Sequence, residues 1–191
     1  MQKAWIAAFA KGTFVRKISL RHHNCDAMSR RIMSQAKQQK GVLLINLGTP
    51  DEPSPKAVKS YLKEFLMDPY VMDIPFLQRW ILINLLIVPK RSIESAHAYQ
   101  QIWTKRGSPL LYHTADLTAK LSEAIGPDLP VEFGMRYGNP SILAALAKLK
   151  SRGVREIKVL PLYPQYSTAA SESSIQVTKK HAAKLGLECE F

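Results

Sequence analysis

Residues 41–47 read Gly-Val-Leu-Leu-Ile-Asn-Leu and stop at Gly48-Thr-Pro50. A short, non-alternating apolar run of this kind marks a strand buried on both faces, which belongs inside a parallel sheet covered by helices. The rest of the chain agrees with that placement. Ser54 stands as a helix N-cap with Pro55 at the first helical position, and Val58, Tyr61, Leu62, Phe65 and Leu66 recur at the helical period. The pattern then predicts a helix from about Ser92 to Trp103, another around Leu117, Leu121 and Ile125, and a strand over Val131–Arg136. Asn139-Pro140 is expected to cap a helix with Ile142, Leu143, Leu146 and Leu149 on one face and Gly153 at its end. A strand over Glu156–Leu160 and a helix from Ser171 to Leu185, closed by Gly186, complete the alternation, and Cys189-Glu-Phe191 reads as the inside of one more strand. Strands alternating with helices imply an α/β fold, a parallel sheet with helices on both faces.

Charge divides the chain unevenly. Of the formal net charge of +12, residues 1–40 contribute +8, because nine Lys and Arg there meet one acid, Asp26. The excess sits in a weakly periodic segment, not on a folded face interleaved with aromatics, so nucleic acid is not the expected partner. That segment is open to three readings: a basic arm, an Arg-rich transit peptide, or translated sequence upstream of a true start at Met33. Residues 1–32 are left out of the predicted fold, residues 1–40 form the arm or mis-assigned segment, and residues 41–191 form one domain without repeat or linker. Cys25 and Cys189 are too few and too far apart for a disulfide scaffold or a four-ligand zinc site, which favours a reducing compartment.

The most apolar stretch runs from Ile74 to Pro89, with Trp80-Ile-Leu-Ile-Asn-Leu-Leu-Ile-Val88 at its centre. It is shorter than the ~20 residues of a transmembrane helix and is bounded by prolines. Two readings remain, a core helix or an apolar flap that touches a membrane or a flat greasy ligand, with Arg79, Lys90 and Arg91 framing it as interfacial cations.

Ligands of open parallel sheets bind beyond the carboxyl ends of the strands. Three segments lie there: Leu47-Gly-Thr-Pro50, Arg136-Tyr-Gly-Asn-Pro140 and Pro161-Leu-Tyr-Pro-Gln-Tyr-Ser167. The first has a single glycine, which disfavours a dinucleotide or P-loop site. In the third, Pro161 and Pro164 remove two donors and force Leu160 and Tyr163 into extended geometry, which sets Tyr163, Gln165 and Tyr166 on a rigid ledge.

The segments NLGTP, GSPL, FGMRYGNPS and LPLYPQYS, in this order and spacing, resemble the amino-terminal half of ferrochelatases of bacterial type, over about residues 41–191. The resemblance implies the first of two similar Rossmann-like chelatase domains, each with a four-stranded parallel sheet, and a porphyrin held between them. It also implies insertion of ferrous iron, as substrate, into protoporphyrin IX or a related porphyrin in haem biosynthesis, with no resident cofactor and no iron–sulfur cluster. The family's catalytic histidine and metal-facing acid belong to its second half, beyond the position of Phe191. No catalytic or metal-binding residue is therefore expected here, and the chain is read as an incomplete, inactive fragment lacking a carboxyl-terminal domain. His22, His23, His97, His113 and His181 match no family catalytic position and read as ordinary surface or half-buried imidazoles.

By the same resemblance, Leu47 faces the porphyrin as packing, and Tyr99 and Ser108 offer hydroxyls to its carboxylates; Ser108 reads equally as a helix cap. Arg136 and Tyr137 lie at the cleft floor, where Arg136 holds a propionate, a carboxylate from the second half, or a structural ion pair. Gln165, Tyr166 and Ser167 form a cleft wall, or Ser167 or Ser171 simply caps the following helix. The run from Ile74 to Val88 is the lip, with peripheral membrane contact. Leu47, Tyr137, Tyr163 and Tyr166 are expected to be solvent-exposed in this half alone. The implied location is the cytoplasm, at a membrane if the lip binds one, or the mitochondrion if the basic arm is a transit peptide. A non-catalytic tetrapyrrole- or partner-binding module is the alternative function.

Overall fold

The structure, a computed structural model, describes residues 40–191. The basic amino-terminal segment, Met33 included, lies outside the described residues. The strand expected at residue 41 is β1 (Lys40–Thr49), and it begins one residue earlier, where Lys40 Nζ lies 3.1 Å from the Glu156 carboxylate. It runs inside a four-stranded sheet of order β2-β1-β3-β4, with β2 (Val131–Gly138), β3 (Glu156–Pro161) and β4 (Glu188–Glu190) all parallel. Val42 faces Val131 on one side and Lys158 on the other. Strands paired on both edges, with helices on both faces, have no use for a polar side, which is why the β1 sequence does not alternate.

Six helices connect these strands: α1 (Pro55–Leu66), α2 (Phe76–Ile81), α3 (Val88–Ile102), α4 (Pro109–Ile125), α5 (Ile142–Ser151) and α6 (Ser173–Leu185). On one face Leu43 and Ile45 of β1 and Ile157 and Val159 of β3 pack against Ile142, Leu146 and Leu149 of α5 and Ala182 of α6. On the other face α4 covers β1 and β2, and Asn46 Nδ2 donates to Thr114 Oγ1 at 3.0 Å. Helices α1 and α3 pack on each other beside the end of β2, joined by the rings of Tyr61, Phe65, Tyr99 and Tyr137.

The strand expected over Glu188 to Phe191 forms, one residue shorter than expected. β4 takes Glu188, Cys189 and Glu190 into register with Glu156, Ile157 and Lys158, and Phe191 falls outside it. The Phe191 ring turns instead toward α6, where Lys179 Nζ lies 5.3 Å from its centroid.

The caps at Ser54 and Gly186 are as expected, the cap of α5 moves, and the last helical stretch starts earlier than expected. Ser54 caps α1, its Oγ accepting from Ala57 N–H at 3.3 Å, a contact typically worth about 1 kcal/mol. Gly186 closes α6 in the left-handed conformation. Helix α5, by contrast, is capped by Ser141 and not by Asn139-Pro140, because the Ser141 hydroxyl reaches Ala144 N–H at 3.2 Å while the Asn139 amide turns away to Asp51. The last helix starts earlier than Ser171, with a π turn over Thr168–Glu172 ahead of α6.

The apolar stretch differs most from its expected form. Helices α2 and α3 are joined by a π-helical segment, Leu82–Ile87, so residues 76–102 form one continuous helical rod. Pro89 has no N–H to give and its ring crowds the carbonyl four residues back; the widened turns before it relieve both problems, and Val88 N–H bonds to Ile83 O, five residues back. Proline here distorts the helix without ending it.

Two glycines let β1 and β2 close at their carboxyl ends. Gly48 has φ +109° and a side chain there would meet Tyr137 O at 1.8 Å; Gly138 has φ +81° and would meet Thr49 O at 2.6 Å. These reciprocal approaches draw the two strand ends together and aim the segments that come after them. Gly48→Ala is expected to lower unfolding stability by at least about 2 kcal/mol, as a shifted urea midpoint with unchanged slope. An unshifted midpoint would show that this junction tolerates a side chain.

Candidate functional site

Asp68, in the turn after α1, carries the densest set of polar contacts among the described residues. Its side chain is 2% exposed. Oδ2 accepts from Tyr137 OH at 2.8 Å, from Ser173 Oγ at 2.5 Å and from Arg136 Nη2, while Oδ1 accepts from Tyr70 N–H at 2.9 Å. Arg136 also donates through Nε to Ser173 Oγ at 2.6 Å and lies over the Tyr137 ring, 4.4 Å from its centroid. Burial alone would push the Asp68 carboxyl up, but the Ser173, Tyr70 and Tyr137 hydrogen bonds and the Arg136 charge together hold it below the usual carboxylate range. Burial likewise raises the Tyr137 phenol. At neutral pH the cluster is a buried carboxylate ringed by donors that stay protonated.

Arg136 thus takes its partner from within this chain, as the structural ion-pair reading has it. Tyr137 departs from expectation: it is fully buried, because its hydroxyl turns back to Asp68 and its ring packs edge-on against Phe65 at 5.1 Å. A residue at a strand end need not face the crevice beyond it.

A separate cavity of about 400 Å³ opens beyond β1, lined by Gly48, Thr49, Tyr99, Ile102, Ser108, Pro109, Leu110 and His113. It brings Tyr99 and Ser108 together, from α3 and from the residue preceding α4. Ser108 occupies the N-cap position of α4 without bonding a helical N–H; its Oγ accepts from Thr49 Oγ1 at 2.9 Å. Burial raises the Tyr99 phenol, which therefore remains a hydroxyl donor. Leu47 is half-buried, not exposed, and does not line this cavity, since strand alternation gives it the face shared by Leu43 and Ile45. Phe191 lines neither this cavity nor the Asp68 cluster, because its ring lies beside α6.

The turn after β3 splits in two. Tyr163 is half-buried, against expectation, with its hydroxyl 2.9 Å from Ser174 Oγ, whereas Gln165, Tyr166 and Ser167 are exposed. Ser167 does cap the turn after it, accepting from Ala170 N–H at 3.2 Å. Along the α2–α3 rod, Phe76, Leu77, Trp80, Ile81, Leu85 and Leu86 are exposed, with Ile83 and Val88 buried beneath them. A core helix is therefore excluded for that face. Arg79 is not an interfacial cation: it is 7% exposed and donates through Nη1 to Met72 O at 2.9 Å, because its place in the helix points it under the loop and not outward. Lys90 and Arg91 are exposed. Among the described residues no helix is long and apolar enough to cross a membrane, and no group of three His, Cys, Asp or Glu side chains is placed to hold a metal.

The four motifs converge on this end of the sheet: NLGTP ends β1, GSPL opens α4, FGMRYGNPS carries β2 to the cap of α5, and LPLYPQYS carries β3 into the turn before α6. A model of the ferrochelatase family matches residues 39–191. The chain belongs to the ferrochelatase family. A ferrochelatase of Legionella pneumophila is 51% identical over 145 residues, which are 76% of this chain and 43% of that protein. A ferrochelatase of Coxiella burnetii is 53% identical over 136 residues, 71% of this chain and 38% of that protein. The match thus spans about two-fifths of the length of these relatives. Within this ferrochelatase domain the α/β class and the four-stranded parallel sheet stand as the sequence pattern implied.

Two residues of the site are not marked by any local pattern. Asp68 looks like one half of an ordinary Asp-Pro turn, and only the fold brings it to Arg136, 68 positions away. His113 reads as an ordinary imidazole on a helix, yet it lines the cavity; its spacing of four from Pro109 is the signal that places it on the same helical face.

Asp68→Ala is expected to cost about 3–5 kcal/mol, because it strands a buried guanidinium. The carboxyl is held below its unfolded value of about 3.9, so its contribution is complete above that pH and is lost as pH falls through the depressed folded value. Urea midpoints measured from neutral to acid pH should fall more steeply in the wild type than in Asp68→Asn, and parallel curves would refute the assignment.

Proposed function

We propose that this chain supplies one wall and the lip of a ferrochelatase active site, which inserts ferrous iron into a dicarboxylic porphyrin of the protoporphyrin IX kind in haem biosynthesis. The observation that carries the reading is the cavity beyond β1, an apolar slot with Ser108 and Tyr99 in its wall, in a chain of this family. A porphyrin is a flat apolar plate with an anionic edge, and such a slot with few donors suits that edge. Leu47 does not line this slot and cannot ligate iron. Arg136 and Tyr137, locked by Asp68, act as a rigid backing, and Gln165, Tyr166 and Ser167 form an exposed rim that borders the ligand.

Bending of the macrocycle, removal of the pyrrole protons and entry of iron need a base near the ring nitrogens. The resemblance gives that part to a histidine segment that the family carries beyond the position of Phe191. Titration of a dicarboxylic porphyrin into the chain should shift the Soret band, while anaerobic assay of the chain alone with ferrous iron should give no turnover above the uncatalysed rate. A silent Soret band would sink the binding claim, and turnover would sink the division of labour.

The lip is read as a peripheral membrane surface of a cytoplasmic protein, favoured by Phe76, Leu77, Trp80, Ile81, Leu85 and Leu86 sharing an exposed stretch with Lys90 and Arg91 behind them. Apolar insertion is not screened as charge attraction is. Flotation of the chain with liposomes should therefore survive high salt and be weakened by Trp80→Glu; loss of flotation in salt alone would assign it to the basic residues instead.

A further inference from the structure

The cavity beyond β1 has an unbalanced chemistry. Tyr99 and Ile102 of α3 and Pro109 and Leu110 of α4 make it apolar, and Thr49 donates to Ser108, which leaves the Ser108 proton free to be given to a ligand. Neither Lys nor Arg lines it. His113 is the one lining side chain with a ring N–H to offer an anion.

The charges around His113 leave that capacity unspent. Asp116, one turn along α4, is the nearest acid, and both its oxygens are held by Arg106, at 2.6 and 2.9 Å. Tyr112 lies ring to ring with His113 at 4.4 Å, Arg106 lies over the Tyr112 ring, and Lys120 stands beside Asp116. From α3 the cavity receives the protonated Tyr99 phenol, and from β1 only Gly48 and Thr49, neither of them charged. No free carboxylate among these groups competes with an incoming anion.

We infer that His113 is the anion-reading group of this cavity: its imidazole N–H donates to one carboxylate of a flat apolar ligand, with the Ser108 hydroxyl as second donor. The inference rests on the porphyrin-wall reading and adds the residue that selects for the acid edge. The cavity is of a size to take a ring edge with its acid chain, not a whole tetrapyrrole, so a donor at its mouth decides which edge enters. Because the imidazole is exposed, replacing it leaves the core untouched.

The test is a Soret titration of the full chain with mesoporphyrin IX and with its dimethyl ester. The variants are His113→Gln, His113→Ala and, as a control, His97→Gln, an exposed imidazole on α3 that does not line the cavity. Wild type and His97→Gln should bind the diacid about three- to fivefold more tightly than His113→Ala does, the range expected of one exposed polar contact. His113→Gln, which keeps a donor, should fall between them, and the ester should bind all four proteins alike. Equal binding of the diacid by wild type and His113→Ala, or an ester weakened as much as the diacid by that substitution, overturns the role of His113 and leaves the porphyrin reading standing. Absence of any Soret shift overturns that reading, and the inference with it.

Discussion

A carboxylate taken almost wholly out of water must be surrounded by donors, and Asp68 meets that demand by recruiting three parts of the chain. The turn after α1 supplies Tyr70 N–H, the end of β2 supplies Arg136 and Tyr137, and the start of α6 supplies Ser173. None of these can move without leaving a buried charge short of a partner, a penalty of several kcal/mol. The same turn carries the lip, since the Asp68 carbonyl accepts from Val71 and Met72 N–H at 3.0 Å and the Met72 carbonyl holds Arg79. The Asp68 cluster and the start of the exposed apolar helix are thereby one hydrogen-bonded piece.

In front of that backing the backbone, not the side chains, sets the shape. Gly48 and Gly138 let β1 and β2 approach until each glycine lies against the other strand's carbonyl, and Thr49, next along β1, is buried against Ser108. The cavity with Tyr99 and His113 opens at this point. The π segment before Pro89 continues the helix through a proline, so the apolar face from Phe76 to Leu86 and the cavity residues Tyr99 and Ile102 sit on one rod. The exposed apolar face and the cavity wall are thereby mechanically joined.

Periodicity made the sheet legible. The run at residues 41–47, the stripe of Ile142, Leu146 and Leu149, and the caps Ser54 and Gly186 are local patterns whose physics acts over four or five residues. The cap of α5 falls two residues later than expected because Asn139 and Ser141 are both good caps, and the choice goes to Asp51, which takes the Asn139 amide. The lip is ambiguous for a related reason: an apolar helix reads alike whether its face is covered or bare, and Arg79 reads as a surface cation until the loop that buries it is seen.

Neighbouring residues were enough to specify the α/β alternation, the central buried strand, the positions of the four motifs at strand ends and, through those motifs, the family. All of these follow from hydrophobic period, turn chemistry and close backbone approach, which act over short stretches of chain. The packed fold was needed to choose which strand-end side chains face the crevice. Tyr137 is drawn inward by Asp68, Ser108 is engaged by Thr49 and not by its own helix, and His113 is brought to the mouth of a cavity shared with a different helix. Each of these outcomes rests on pairings between groups tens of residues apart, and hydrogen-bond partners at that separation are chosen by the packing of whole elements, which no local pattern records.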